Sequence, residues 1–318
     1  MLSENRFALF GTMLEERESR MIIGGQEDVT RAVLEAFEQA PDPRLREILT
    51  AMVRHLHGFA RDVRLTEQEF QQACNYILRL GQHSTPTHNE VVLMAGSVGL
   101  SALVCLLNNG NKGQTETAAN MLGPFWRLNS PRTENGGSIV RSPTPGPELF
   151  VHAQVRDGAG KPIAGAEVDV WHSSPEGFYE NQDHKQADMN LRGKFATDAD
   201  GKFWFRTIKP AGYPIPVDGR VGYLVRAVKR PHNMRPAHIH FLIFKQGFKT
   251  LISQVYSNDD PYLETDVQFG VTRALVGNYL RHDSGTPPAP DLKAPWYTLD
   301  YTFVMESGEA TLPRAPIK

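Results

Sequence analysis

The sequence predicts an α+β protein, with a helical N-terminal domain over residues 1–115 followed by an antiparallel β-sandwich over residues 116–318. Three observations carry this reading. Apolar residues recur at three- and four-residue steps through the first third of the chain. After Leu107, glycine and proline punctuate short β-rich runs. No helical period is interleaved with those runs, which argues against a parallel α/β sheet.

Taken in order, the first twenty residues show no clear period, and Glu15, Glu16 and Glu18 read as a solvated face. A helix is expected near Val29 to Phe37. Leu45, Ile48, Leu49, Met52, Val53, Leu56, Phe59 and Val63 then form the stripe of an amphipathic helix. Pro43 stands at its start, where a missing N–H costs little. Thr66 followed by Glu69 fits a capping box, and Phe70, Cys74, Ile77 and Leu78 continue a second helix. Pro86 precedes a third, Val91 to Leu107, which carries no charge over 17 residues. A membrane span needs about 20 apolar residues. This run is shorter and contains Gly96, Ser97, Gly99 and Ser101, so it reads as a buried or interface helix and not as a span.

Asn108 to Gly113 is a turn cluster near the domain boundary. Strands are expected at Phe150–Val155, Ala166–Trp171, Gly201–Thr207, Tyr223–Val228, His238–Phe244, Thr250–Val255 and Leu299–Met305. The first two read as a hairpin joined by Asp157 to Gly160. Gly158-Ala-Gly-Lys161 lacks the upstream glycine and the Ser/Thr of a phosphate loop.

Composition excludes several function classes. Lysine plus arginine is 34 and aspartate plus glutamate is 36, so the formal charge of −2 supplies no basic field for nucleic acid. With 40% hydrophobic and 22% charged residues, the chain falls among ordinary globular proteins. Two cysteines, Cys74 and Cys105, make neither a disulfide framework nor a thiolate metal site. Met1 to Gly11 shows no basic region leading into a long apolar stretch. A cytoplasmic location is the expectation.

The sharpest chemical signal is Arg235-Pro-Ala-His-Ile-His240 in an otherwise apolar run. In a strand, residues two apart share a face, so His238 and His240 would project side by side and could chelate one ion. His55 and His57 have the same spacing on a helix, about 200° apart, where joint ligation is unfavourable. Two satisfied core histidines are the plain alternative; burying two imidazoles without partners is costly, which adds some weight to the metal reading without deciding between them. No carboxylate follows the pair, so neither a two-histidine, one-carboxylate triad nor a cupin-like set is completed. Tyrosines in strand-flanking loops are the remaining candidates, at Gly177-Phe-Tyr179 and Ala211-Gly-Tyr-Pro-Ile-Pro216. A zinc hydrolase using His238, His240 and water, and a non-enzymatic β-sandwich binding module, are the alternatives at this point.

Four ordered segments carry a resemblance. They are Asp169-Val-Trp-His-Ser-Ser-Pro-Glu-Gly-Phe-Tyr179, Leu191-Arg-Gly193, Ile208-Lys-Pro-Ala-Gly-Tyr-Pro-Ile-Pro216 and Arg235-Pro-Ala-His-Ile-His240, with Leu122-Gly-Pro-Phe-Trp126 ahead of them. Together they resemble the intradiol ring-cleaving dioxygenases, the catechol and hydroxyquinol 1,2-dioxygenase family. The resemblance implies one ferric ion, Fe(3+), per chain, held by Tyr179, Tyr213, His238 and His240. It implies that Tyr213 is the displaceable ligand and proton acceptor. Arg235 would stabilise negative charge, and Gln254 would lie near the substrate and O2. Leu93, Phe125 and Ile215 would line the substrate pocket. A free tyrosine ionises near pH 10, and a trivalent cation would hold it as phenolate.

The segment Tyr213 to Gly222 resembles the hydroxyquinol branch, which implies 1,2,4-trihydroxybenzene as substrate. The position near Gly96 is acidic in some hydroxyquinol enzymes and glycine here, which keeps catechol, chlorocatechols and substituted hydroxyquinols open. The same resemblance implies a homodimer formed through the helical domain, with a phospholipid in an apolar tunnel there.

Overall fold

A computed structural model describes residues 22–85, 88–108 and 117–316. The readings made on Met1 to Gly11, on Glu15, Glu16 and Glu18, on Pro86 and on most of the Asn108 to Gly113 turn lie outside these residues. Contacts group into two compact units, divided between Tyr76 and Ile77.

The first unit is helical. Helix α1 is Gln26–Phe37 and α2 is Pro43–Asp62. The Asp42 carboxylate accepts from the backbone N–H groups of Arg44 and Leu45, and Pro43 opens α2 as expected. Helix α3, Glu67–His83, begins in this unit with the capping box formed. The Thr66 N–H donates to Glu69 Oε2 at 2.9 Å, and the Glu69 N–H donates to Thr66 Oγ1 at 3.3 Å. On α2 only Thr50 and Val53 are buried, while Ile48, Met52, Leu56 and Phe59, and Val63 just past its end, are exposed. The apolar stripe exists, but the single chain does not cover it.

The second unit begins with the rest of α3 and continues through α4 (Glu90–Ser97) and α5 (Leu100–Asn108). The single helix expected over Val91 to Leu107 is two helices bent by 78°. The break falls at Gly99, whose φ of +74° lies in the left-handed region that suits glycine. Nor is the pair buried: Gly96 is the only apolar position of α4 below the surface, and α5 has none. Among the described residues, no single helix is long and apolar enough to cross a membrane.

The β region is built from β1 (Glu148–Asp157), β2 (Glu167–Trp171), β3 (Arg192–Ala196), β4 (Lys202–Ile208), β5 (Tyr213–Pro214), β6 (Met234–Arg235), β7 (His238–Phe244), β8 (Leu251–Ser257), β9 (Val276–Gly277), β10 (Tyr279–His282) and β11 (Trp296–Met305), with helix α6 (Arg220–Ala227) between β5 and β6. One sheet runs β10-β11-β1-β4, another β3-β2-β7-β8-β9, and β5 pairs with β6. Val151, Val155, Phe203 and Phe205 from the first sheet meet Val168, Val170, Ile239 and Phe241 from the second in one buried core. This is the alternation that a sandwich requires.

Three expectations are corrected. The sheets are mixed and not purely antiparallel: β1 runs parallel to β11, and β8 parallel to β9. β9 follows β8 after a long connection, and all the other strands lie between β1 and β11 in sequence, so neither parallel pair is held to a hairpin return. Next, β1 and β2 are not a hairpin. After the turn the chain makes only one bridge, Arg156 to Pro162, then crosses to the other sheet. Finally, Tyr223–Val228 is not a strand but belongs mostly to α6, where Val221, Gly222 and Val225 are buried at helical spacing.

Candidate active site

Strand β7 lies at the centre of its sheet, and its register assembles the site. His238 faces Tyr256 and His240 faces Gln254 across β8, while His240 faces Trp171 across β2. Tyr213 faces Arg235 in the β5–β6 pair. Tyr179 arrives on the turn after β2, where the Gly177 N–H donates to the Ser174 carbonyl.

The structure brings all four expected donors together. His238 Nε2 and His240 Nε2 are 3.2 Å apart, and His240 Nε2 is 3.2 Å from Tyr179 Oη. The Tyr213 ring lies edge-on to Tyr179 at 5.8 Å and 5.5 Å from His238. His238 Nδ1 donates to the Pro236 carbonyl at 2.7 Å, so its Nε2 carries a lone pair directed at the cluster. Complete burial, reinforced by the Arg235 charge, pushes the His238 imidazole down to about 3. Burial and the neighbouring His238 push His240 well below its ordinary value. Burial and the neighbouring Tyr213 push the Tyr179 phenol well above its own. Two neutral imidazoles and the Tyr179 phenol thus converge beside the Tyr213 hydroxyl. Such a set fits a highly charged cation, which would draw off the phenol protons and accept the nitrogen lone pairs. Among the described residues, no group of three or more His, Cys, Asp or Glu side chains could hold a metal ion; here half of the donors are phenols.

Close packing holds the donors in place. The Trp171 indole stacks on His240 at 4.7 Å and 8°. Phe125 stacks on Tyr179 at 4.4 Å. Gly123, at φ +75°, brings the backbone so near that a Cβ would stand 3.1 Å from His240 Cε1. Directly after Tyr179, the carboxylate of Glu180 is 2.7 Å from Arg192 Nε, and both side chains are buried. Arg127 adds a second contact to Glu180 at 2.8 Å.

Arg235 and Gln254 reach the same cluster. Gln254 is fully buried; its Oε1 accepts from Arg235 Nη2 at 3.1 Å and from Tyr256 Oη at 2.7 Å. Its Nε2 donates to the Met121 carbonyl, which leaves one amide hydrogen to offer. Ile215 is buried just beyond Tyr213. Leu93 on α4 joins less directly, its carbonyl accepting from Gln268 Nε2 at 3.5 Å. A Cβ at Gly96 would stand 1.9 Å from Gln268 Oε1, so the glutamine side chain fills the space that a side chain at position 96 would take.

The sequence reading missed Tyr256, Asp266 and the Glu180–Arg192 pair. Tyr256 shares strand parity with Gln254, a signal that was available. His172, within the resembling segment, is not part of the donor set. Its Nδ1 donates to the Ser173 carbonyl at 2.8 Å, and its Nε2 accepts from Thr207 Oγ1 at 2.7 Å. Burial pushes it down to about 4. Between pH 6.5 and 4 the unfolded chain therefore binds a proton that the folded chain refuses, so this contribution to stability is present above pH 6.5 and is lost on acidification. At pH 5 the loss is on the order of 2 kcal/mol. Urea unfolding at pH 7.5 and pH 5 should show a shallower pH dependence for His172→Gln than for the parent protein.

Comparison with known proteins agrees with this architecture. Residues 122–306 match the family model described as dioxygenase, and residues 42–116 match that described as catechol dioxygenase N terminus. The chain belongs to this family of intradiol ring-cleaving dioxygenases and is an oxidoreductase. Family members use non-haem iron. A hydroxyquinol 1,2-dioxygenase of Rhizobium sp. (strain MTP-10005) is 35% identical over 298 residues, covering 93% of this chain and 96% of the relative. A 6-chlorohydroxyquinol 1,2-dioxygenase of Cupriavidus pinatubonensis is 37% identical over 280 residues, covering 88% and 97%. Among solved structures, hydroxyquinol 1,2-dioxygenase from Pseudomonas putida DLL-E4 superposes with a TM-score of 0.79 at 35% identity, covering 89% of this chain and 99% of that one.

Proposed function

We propose that the protein cleaves hydroxyquinol, 1,2,4-trihydroxybenzene, between its two adjacent hydroxyl-bearing carbons. The product is 3-hydroxy-cis,cis-muconate, the enol form of maleylacetate. Both atoms of O2 end in the two new carboxyl groups, so atoms balance without a further reductant. The observation that carries this reading is the convergence of Tyr179 Oη, His238 Nε2 and His240 Nε2 at 3.2 Å steps beside Tyr213. Those four residues would hold one ferric ion per chain. When bound, that ion supplies a Lewis-acidic centre that withdraws electron density from an ionised diol.

The protein's own groups do the remainder. Tyr213 is the most open of the four donors, at 8% exposure against 1% for Tyr179 and His238 and 2% for His240. It is the donor best placed to move and to take a proton from an incoming diol hydroxyl. Arg235 Nη1, 3.5 Å from His238 Nε2, turns a permanent positive charge toward the cluster, where it stabilises negative charge developing on the ring. Gln254 contributes its remaining amide hydrogen. Phe125 and Ile215 supply the apolar wall against which a flat ring packs, and Leu93 closes it from α4. Trp126, Trp171 and Leu242, which pack around the two tyrosines, exclude water from the donors.

The helical part, residues 1–115, serves as a dimerisation domain, and residues 116–318 as the catalytic domain. The family-model matches falling on either side of residues 117–121 support this division. Exposed Leu56, Phe59 and Val63 on and just after α2, and Val98, Leu103 and Leu107 on and near α5, leave apolar surface suited to a two-fold contact and to a phospholipid chain. Two free cysteines fit a cytoplasmic location.

One set of measurements on purified protein tests this reading. O2 uptake is recorded with hydroxyquinol, catechol and 3-chlorocatechol, alongside iron content, visible absorption and molecular mass in solution. Hydroxyquinol should be turned over fastest, by a red, iron-containing dimer. Colourless zinc protein without O2 uptake would reject the assignment.

A further inference from the structure

Arg235 is 5% exposed, and its five N–H groups can be accounted for. Nε donates to Asp266 Oδ1 at 3.3 Å, and Nη2 donates to Asp266 Oδ2 at 3.3 Å. Nη2 also donates to Tyr256 Oη at 2.8 Å and to Gln254 Oε1 at 3.1 Å. One edge of the guanidinium is therefore fully engaged. Among the described residues, the opposite group, Nη1, meets only His238 Nε2, at 3.5 Å.

Asp266 is itself held firmly. It is 4% exposed. Its Oδ1 accepts from the Gln268 N–H at 3.1 Å and its Oδ2 from the Gly270 N–H at 2.9 Å. Burial alone would raise its carboxyl, but the Arg235 charge and these bonds hold it below its ordinary value. Gln268 Nε2 then donates to Ser97 Oγ at 2.9 Å, tying the loop to α4. On the far side, Asn120 Nδ2 donates to the Gly270 carbonyl at 2.6 Å and to Tyr256 Oη at 3.3 Å.

We infer that Asp266 is the positioning residue for Arg235: it binds the Nε–Nη2 edge side-on, balances the buried charge, and so aims Nη1 at the reacting ring. The inference rests on the charge-stabilising role proposed above for Arg235. A lone guanidinium 3.5 Å from His238 Nε2 would oppose a cation held there. With Asp266 beside it the pair is neutral overall, yet Nη1 remains a donor where negative charge develops. Lysine could not serve at position 235, because it has no second edge to anchor.

Asp266→Asn removes the counter-charge and keeps the volume. kcat per bound iron should fall about a hundredfold with KM changed less than about threefold, as expected for an interaction made mainly in the transition state. Iron should stay near one per chain, and the tyrosinate-to-iron absorption should persist. Asp266→Glu should recover most of kcat. A purely structural role would instead lower iron content and total activity together, leaving kcat per iron unchanged, and that result would overturn the inference. Gly270→Ala guards against a misfolded aspartate variant. Its methyl would stand 2.8 Å from Arg235 Nη2 and 2.6 Å from Tyr256 Oη, displacing the guanidinium while the carboxylate remains. It should show the same loss of kcat per iron. Parent protein that binds iron but takes up no O2 with any diol would overturn the ring-cleavage reading and this inference with it. Active parent protein with an unaffected Asp266→Asn variant would overturn the inference alone.

Discussion

Tyr179→Phe is expected to lose iron and colour together, with turnover falling by about a thousandfold or more, because the ring stays in place and only the oxygen that a ferric ion would hold as phenolate is removed. Tyr179 is 1% exposed, stacked on Phe125 at 4.4 Å, and bonded through its backbone N–H to Gln182 Oε1 at 3.0 Å. Phenylalanine fits that slot without repacking, so the fold should survive. His240→Ala should lose iron as well, but it also opens a gap under Trp171, which stacks on that imidazole at 4.7 Å. Elemental analysis and visible spectra of both variants check this. Iron retained at the parent level in Tyr179→Phe would remove Tyr179 from the donor set.

The largest stability effect should come from Glu180→Gln. Arg192 is 1% exposed, and its Nε is 2.7 Å from the Glu180 carboxylate. Removing one partner of a buried pair leaves an uncompensated charge, at a cost of about 3–5 kcal/mol. Arg127 would retain Asp188 at 2.7 Å, but among the described residues Arg192 has no second carboxylate in its ion pairs. Urea unfolding should show the loss. The double replacement Glu180→Leu with Arg192→Met should recover a large part of it, since two apolar side chains can occupy the site of the pair. Because Glu180 follows Tyr179 directly, Glu180→Gln should also release iron more readily on dialysis against chelator. Equal stability in the parent and in Glu180→Gln would show that the pair contributes nothing.

Part of this side-chain cluster is legible in the sequence alone. The two-residue step from His238 to His240 in an apolar run points to one strand face, and β7 presents both there. Tyr179 and Tyr213 were reachable only through the resembling segments, since nothing in spacing alone ties residues 34 positions apart to one point. Asp266 left no local trace, because its partner lies 31 residues away and the bond depends on how the loop folds back. The misread at Tyr223–Val228 has a plain cause: a short mixed apolar and charged run satisfies both periods, and packing decides. The β1–β2 hairpin failed because turn residues report a reversal of direction, not which sheet receives the next strand. Likewise, the α2 stripe announced an apolar face without saying what covers it.

The parallel pairing of β1 with β11 has a consequence for biosynthesis. Leu149 aligns with Tyr297 and Asp157 with Met305, so an inner strand of the first sheet waits for a neighbour made almost 150 residues later. A ribosome must finish nearly the entire β-rich part of the chain before that sheet can close. Meanwhile β2, β7 and β8, of which β7 carries both histidine donors and β8 carries Gln254, can already pair with one another. Nascent chains would thus expose an unfilled edge on β1 for seconds at ordinary elongation rates of about 5–20 residues per second, an interval in which chaperone binding or aggregation competes with closure.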